Sequence, residues 1–224
     1  NNVPTPIELW GIDWFTPLNP SFNENAKIND KRTFKTAPLI SIIIPVFNKL
    51  KLTKKCIFSI LNSKDYSNYE LLIVDNGSNK ETNKYLSNLE QTNPQIKLIV
   101  NKKNQGFAKA NNQAAKFATG KYLYCLNNDT EVKKHWLSPL VKILEKDENV
   151  AAVGSKLIFP DETLQHAGIG IANSKQNKHD IIPFHINYKL KADSFEVNIP
   201  KEVSALTAAS LLIRKKIFQK VDGF

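Results

Sequence analysis

Asn127-Asn128-Asp129 follows directly on the apolar run Tyr122-Leu123-Tyr124-Cys125-Leu126. A carboxylate beside two carboxamides at the end of a buried-type strand offers oxygen ligands to a hard divalent cation. Such a cation can bridge two phosphates and neutralise a diphosphate leaving group. Asp129 is the candidate metal ligand; in the competing reading Asp129 or Thr130 is the N-cap of a helix over 133–145. Asp75 stands in the same relation to Leu71-Leu72-Ile73-Val74. Its carboxylate can accept from the imide nitrogen of a uracil or thymine, or from ribose hydroxyls. Gly77 lets the backbone turn sharply beside a ligand. Asp75-Asn76-Gly77-Ser78 reads equally as an ordinary turn before a helix. Asn104-Gln105-Gly106-Phe107 opens an Ala-rich segment whose inner face could bring Asn111 to the same place, or it is a tight turn before a core helix. His166, in Gln165-His166-Ala167-Gly168, is either a substrate contact or a structural histidine.

These clusters need a scaffold that brings strand ends together. From residue 39 the pattern alternates, with strands at 39–46, 70–74, 96–100, 121–126 and 150–153 and helices at 52–61, 79–90, 107–118 and 133–145. That order predicts an α/β fold with a mostly parallel central sheet and helices on both faces. Ligands in such sheets bind at the carboxyl ends of the strands. Phe47-Asn48, Asp75 to Ser78, Asn101 to Gly106 and Asn127 to Asp129 would then line one edge. Past 155 the pattern loosens into short strands or a hairpin up to 171, a long polar loop over 173–200, an apolar return over 203–213 and a short helix near Lys215. Residues 1–38, with Pro4, Pro6, Pro17, Pro20 and Pro38, read as a linker or arm in which Trp10, Trp14 and Phe15 dock on the domain.

Composition narrows the classes. The 224 residues, 42% hydrophobic and 23% charged, suit a globular domain. No apolar run is long enough to span a bilayer. The two cysteines, Cys56 and Cys125, sit apart in apolar surroundings and read as buried free thiols, which points to a reducing, cytoplasmic compartment. A net charge of +10 fits an anionic substrate or peripheral association with the inner face of a membrane. Its scattered lysines and lack of an RNA-binding aromatic motif argue against nucleic acid. No G-x-x-x-x-G-K-[ST] and no G-x-G-x-x-G after the first strand is present, so neither a P-loop nor a dinucleotide fingerprint is expected. The chain opens on Asn and contains no Met, which suggests a piece of a longer protein.

Taken together, the chain resembles the family 2 glycosyltransferases of GT-A fold. The resemblance is carried by Ser41-Ile42-Ile43-Ile44-Pro45-Val46-Phe47-Asn48, Ile73-Val74-Asp75-Asn76-Gly77-Ser78, Asn104-Gln105-Gly106-Phe107 with Asn111, and Leu126-Asn127-Asn128-Asp129-Thr130. Gln165-His166-Ala167-Gly168 and Val221-Asp222-Gly223-Phe224 extend it, so that it covers about 39–224. It implies inverting transfer of a sugar from a nucleotide diphosphate sugar, with UDP or dTDP favoured, to a saccharide or lipid-linked acceptor in cell-surface polysaccharide synthesis. By position, Pro45, Phe47 and Asn48 would border the base and Asp75 would hold base or ribose. Gly77, Ser78, Gly106 and Asn111 would lie about the nucleotide. Asn127-Asn128-Asp129 matches the family's Asp-x-Asp motif, with Asn127 in place of the first acid and Asp129 left to bind Mg²⁺ or Mn²⁺. The resemblance divides 39–224 into a nucleotide-sugar half, 39–130, and an acceptor half, 131–224. It places the catalytic base after the Asp222-Gly223-Phe224 segment, beyond the last residue, so this piece is expected to bind donor better than it turns it over. Asp161, Glu162, Asp180 and Asp193 are the substitutes within the chain. Two other readings stand beside this one: a nucleotidyltransferase, which Pro45-Val46-Phe47-Asn48 opposes by lacking a basic Gly-rich loop, and a non-catalytic nucleotide-sugar-binding domain.

Overall fold

The computed structural model describes residues 37–173 and 181–224; the proposed N-terminal arm, with Trp10, Trp14 and Phe15, lies outside them. These residues divide into two compact units, Lys156–Leu206 and the remainder.

The larger unit starts with β1 (Ile40–Val46), α1 (Leu50–Leu61), β2 (Tyr69–Asp75), α2 (Lys80–Thr92) and β3 (Ile96–Val100). It continues with α3 (Phe107–Ala115), β4 (Tyr122–Leu126), α4 (Ser138–Lys146) and β5 (Ala152–Gly154). The smaller unit holds β6 (Leu157–Ile158), β7 (Leu164–His166), β8 (Ile169–Asn173) and β9 (Ile181–His185); the chain then returns to the larger unit with β10 (Ser210–Arg214) and α5 (Lys215–Lys220). The main sheet has the order β3-β2-β1-β4-β10-β5. Its first four strands are parallel, and β10 runs antiparallel to both β4 and β5.

The continuous apolar strands follow from burial on both faces. The pleat of β1 sends Ile40, Ile42, Ile44 and Val46 into one core with Cys56, Ile57 and Ile60 of α1, Leu86 of α2 and Leu140, Val141 and Leu144 of α4. Ile43 faces the other way, with Leu72, Val74 and Leu123, against Ala110, Ala114 and Ala115 of α3 and Phe218 of α5. The small residues of α3 let it lie close on that face, and the two-sided cover expected from the sequence is present. Both cysteines are free and buried, and burial pushes each thiol up to about 12.

Three expectations are corrected. The helix expected over 133–145 begins only at Ser138. Its first turn is capped from a distance by Asp65, whose Oδ2 accepts from the N–H groups of Leu137 (2.8 Å) and Ser138 (2.9 Å) and whose Oδ1 accepts from the Ser138 hydroxyl (2.6 Å). Asp129 therefore is not the cap of that helix. The helix expected over 107–118 ends at Ala115. The loop expected over 173–200 contains, among its described residues, β9, paired with β8 over five residues, and a 3₁₀ turn at Phe195–Val197.

Candidate functional site

The carboxyl ends of β1, β2, β3 and β4 form one rim, and a mesh of side-chain amides fixes its loops. After β1 the chain takes two consecutive left-handed residues, Asn48 (φ 56) and Lys49 (φ 55). Asparagine tolerates that conformation better than most residues. The Asn48 N–H donates to Ser78 Oγ (2.9 Å), and its Oδ1 accepts from the Asn79 N–H (2.8 Å). The β1 and β2 loops are thereby laced together. Phe47 is 46% exposed on this turn, and Pro45 is half-buried.

Asp75 is 1% exposed. Its Oδ1 accepts from the Ser78 N–H and its Oδ2 from Asn83 Nδ2, each at 2.8 Å. The turn geometry anticipated for Asp75-Asn76-Gly77-Ser78 is present, and each oxygen retains a further lone-pair direction. Asn76, also buried, bridges to the β3 loop. Its Nδ2 donates to Asn104 Oδ1 (3.0 Å) and to the Gly106 carbonyl (3.3 Å); its Oδ1 accepts from Asn101 Nδ2 (3.1 Å) and the Gln105 N–H (3.0 Å). Asn101 and Gln113 exchange two bonds of 2.9 Å. Gly77 (φ +82) lies so near this loop that a Cβ would come within 2.7 Å of the Lys103 Cα. Gly106 (φ +84) faces open space at the head of α3. Asn111, fully buried, donates from Nδ2 to the Phe107 carbonyl (2.9 Å), and its Oδ1 has no partner among the described residues.

Beyond β4, the Asn127 N–H donates to the Ala209 carbonyl (3.0 Å), and the Thr130 hydroxyl donates back to the Asn127 carbonyl (2.7 Å). Asn128 Nδ2 donates to Thr53 Oγ1 (2.9 Å), and Thr53 donates to the Asn48 carbonyl (3.5 Å). The first and fourth strand ends are so connected through one hydroxyl. Asp129 is exposed, and its carboxylate makes no hydrogen bond or ion pair among the described residues. A free carboxylate with the carboxamide oxygens of Asn127 and Asn128 nearby in sequence is a donor set that fits Mg²⁺ or Mn²⁺, which bind one or two carboxylates along with phosphate oxygens and water. Lys49, Lys102 and Lys103 are exposed on the same loops and supply positive charge for an anionic ligand.

The rim thus brings together Pro45, Phe47, Asn48, Asp75, Gly77, Ser78, Gly106, Asn127, Asn128 and Asp129, with Asn111 behind them. Sequence reasoning set Asn76 and Asn101 on this edge without giving them a role, and missed Asn83 and Gln113; all four tie the loops. Their signal was the density of carboxamides after each strand.

His166 belongs to the smaller unit. It is 1% exposed, its Nδ1 lies 3.0 Å from Nδ1 of His185, and its Nε2 accepts from the Gly168 N–H (3.3 Å). Burial and the neighbouring His185 bring its pKa down to about 4. Asp161 accepts from the N–H and hydroxyl of Thr163 and pairs with Lys189 (3.2 Å). Glu162 and Asp193 also lie in the smaller unit, whereas Asp180 is outside the described residues.

The chain matches the model of Glycosyl transferase family 2 over residues 41–222. It is 32% identical over 191 residues to an uncharacterized protein of Sinorhizobium fredii, covering 83% of this chain and 20% of that protein. It is 31% identical over 194 residues to the O-antigen biosynthesis protein RfbC of Myxococcus xanthus, covering 84% of this chain and 14% of RfbC. The chain thus spans a fifth or less of the length of these two relatives. A mannosyltransferase of Pyrobaculum calidifontis, solved with GDP-mannose and Mn²⁺, is similar in fold, with a TM-score of 0.60 over 87% of this chain and 51% of that one at 20% identity. The parallel α/β sheet is of the GT-A type, and the match over 41–222 makes the chain a member of glycosyltransferase family 2.

Proposed function

We propose that this chain is the donor-binding domain of a glycosyltransferase that moves a sugar from a nucleotide diphosphate sugar, UDP- or dTDP-linked, to a saccharide or lipid-linked acceptor with inversion, in cell-surface polysaccharide synthesis. The observation that carries the reading is the rim itself, where a buried, hydrogen-bonded carboxylate at Asp75 and a free one at Asp129 sit at the ends of β2 and β4. Family membership and the O-antigen relative support the substrate class.

Asp75 is held rigidly by Ser78 and Asn83, so its remaining lone pairs can accept from a pyrimidine imide or a ribose hydroxyl without reorganising. Phe47 offers an exposed ring for the base to lie against. Asp129, with Asn127 and Asn128, would hold the divalent cation; the Mn²⁺ of the Pyrobaculum protein supports this. That ion, when bound, supplies neutralising charge for the diphosphate. Lys49, Lys102 and Lys103 add to the same field. In the transfer, the acceptor hydroxyl oxygen bonds to the anomeric carbon as the bond from that carbon to the phosphate oxygen breaks, and the hydroxyl proton passes to a base.

Calorimetric titration with UDP, dTDP and GDP, with and without Mn²⁺, tests the reading. Binding of one nucleotide that strengthens with Mn²⁺, and loses that dependence in Asp129→Ala, is the expected result. Failure of all three nucleotides to bind would overturn it.

A further inference from the structure

Helix α1 carries a second, outward face that the donor rim does not use. Lys51, Lys54, Lys55 and Phe58 recur at the spacing i, i+3, i+4, i+7 and so share one side of the helix, opposite the buried Thr53, Cys56, Ile57 and Ile60. All four are exposed, and Phe58, 68% exposed, stands among the lysines. The segment after β4 runs alongside: Glu131 pairs with Lys55 (3.3 Å), and the Val132 N–H donates to Ser59 Oγ (3.0 Å). At the end of α1, Lys64, Lys133, Lys134 and His135 line a shallow pocket together with Asn62 and Ser63. The acids here do not cancel this charge. Glu131 faces a single lysine, and the Asp65 side chain, 5% exposed, caps α4 and lies 3.4 Å from His135 Nδ1, away from the lysines.

We infer that this face docks on an anionic membrane surface, with Phe58 entering the headgroup–acyl boundary and the lysines meeting lipid phosphates. Flexible lysines around an exposed aromatic, on a helix lying along the protein surface, are what an interfacial lipid contact requires. The net charge of +10 complements an anionic leaflet. The patch contains lysines and no arginine, whereas recognition of a nucleic-acid backbone favours the bidentate guanidinium. The inference is independent of the donor reading, because Lys51, Lys54, Lys55 and Phe58 make no contact that builds the rim.

Co-sedimentation of the 224-residue chain with vesicles tests it, using phosphatidylcholine alone or with about a third phosphatidylglycerol. The chain should pellet with the anionic vesicles, stay in solution with the neutral ones and be released by high salt. The combined variant K51E/K54E/K55E should weaken partitioning by on the order of a hundredfold. Phe58→Ser should weaken it by about tenfold while leaving the salt dependence in place. Far-UV circular dichroism checks each variant's fold, and a second variant set at Lys133 and Lys134 probes the same face should the first perturb α1. Equal binding to neutral and anionic vesicles, or unchanged binding of the charge-reversed variants, would overturn the inference. So would an RNA oligonucleotide that displaces the vesicles at equal affinity through these lysines, since it would assign the face to nucleic acid.

Discussion

Asn112 closes two hydrogen bonds on the backbone of one residue: its Nδ2 donates to the Phe224 carbonyl and its Oδ1 accepts from the Phe224 N–H, each at 3.0 Å. The side chain thus imitates a strand neighbour. Gly223 (φ +84) makes the approach, and the Phe224 ring meets Phe107 (5.9 Å) and Phe218 (5.2 Å). Helix α3 is in this way tied to the segment after α5. Asn112→Ala should remove both bonds, at a local cost of about 1–2 kcal/mol. The Phe224 amide should then exchange with deuterium faster than in the parent, while the core strands keep their protection. Unchanged exchange at Phe224 would contradict this.

The rim glycines separate by space. A methyl group at Gly77 would meet the backbone of Lys103 at 2.7 Å, whereas one at Gly106 would meet nothing within 4 Å. Gly77→Ala carries both a positive φ and a backbone collision and should lose about 2–3 kcal/mol in urea unfolding. Gly106→Ala has only the dihedral strain and should lose about 1–2 kcal/mol.

Replacing Asn76 by Ala removes four hydrogen bonds at once and leaves the Gln105 N–H without its acceptor, while Asn101 Nδ2 keeps Gln113 and Asn104 Oδ1 keeps the Gly106 N–H. We expect a loss of about 2–3 kcal/mol, from groups left unsatisfied or newly hydrated. Nucleotide affinity should fall with it, since the 101–106 loop loses its anchor to β2. A variant with parental stability would show that water replaces the carboxamide without cost.

His166 gives a pH signature. Its folded pKa, about 4, lies below the ordinary 6.5, so the unfolded chain binds the extra proton first as pH falls. The contribution of His166 is complete above about 6.5, declines as pH falls towards about 4 and is flat below. His166→Gln should flatten the stability profile over that window in thermal melts followed by a probe in the smaller unit.

Asp65 acts with the same sign at lower pH. Burial works to raise its pKa, but the Ser138 hydroxyl and the Ser138 and Leu137 N–H groups hold it below the ordinary 3.8. The cap is present above that value and is lost as pH falls through the lowered one. Asp65→Ala should cost about 1–2 kcal/mol at neutral pH, the usual range for a lost helix cap. Little change would mean that water caps α4 equally well.

Strands β1, β2 and β4 were legible because burial on both faces demands unbroken runs such as Ile40–Val46 and Tyr122–Leu126, and β3, half-exposed at the sheet edge, followed from the alternation with helices. The rim followed from the carboxyl-end rule. What stayed hidden depended on distant partners. Trp136 and Leu137 extend the apolar period of α4 backwards, yet the helix starts at Ser138 because Asp65, more than seventy residues away, caps it there. Strand β9 reads as loop because Pro183 and the surrounding polar residues suit one; only pairing with β8 makes Ile181–His185 a strand. Asn76 looks like a turn residue in sequence, and its four bonds belong to the folded loops.

The place of β10 between β4 and β5 has a consequence for how the chain is made. Strands β1 to β3 join by crossovers between sheet neighbours, β4 then returns to the free side of β1, and all four can assemble as they leave the ribosome. Strand β5 has no seat until β10 arrives, and all of Lys156–Leu206 must be synthesised in between. Until then β4 presents a bare edge, the kind of surface that recruits other chains. Nascent chains arrested before Ser210 should therefore aggregate, while chains extended past Arg214 remain dispersed; the two lengths compared by pelleting would reveal a late closing step.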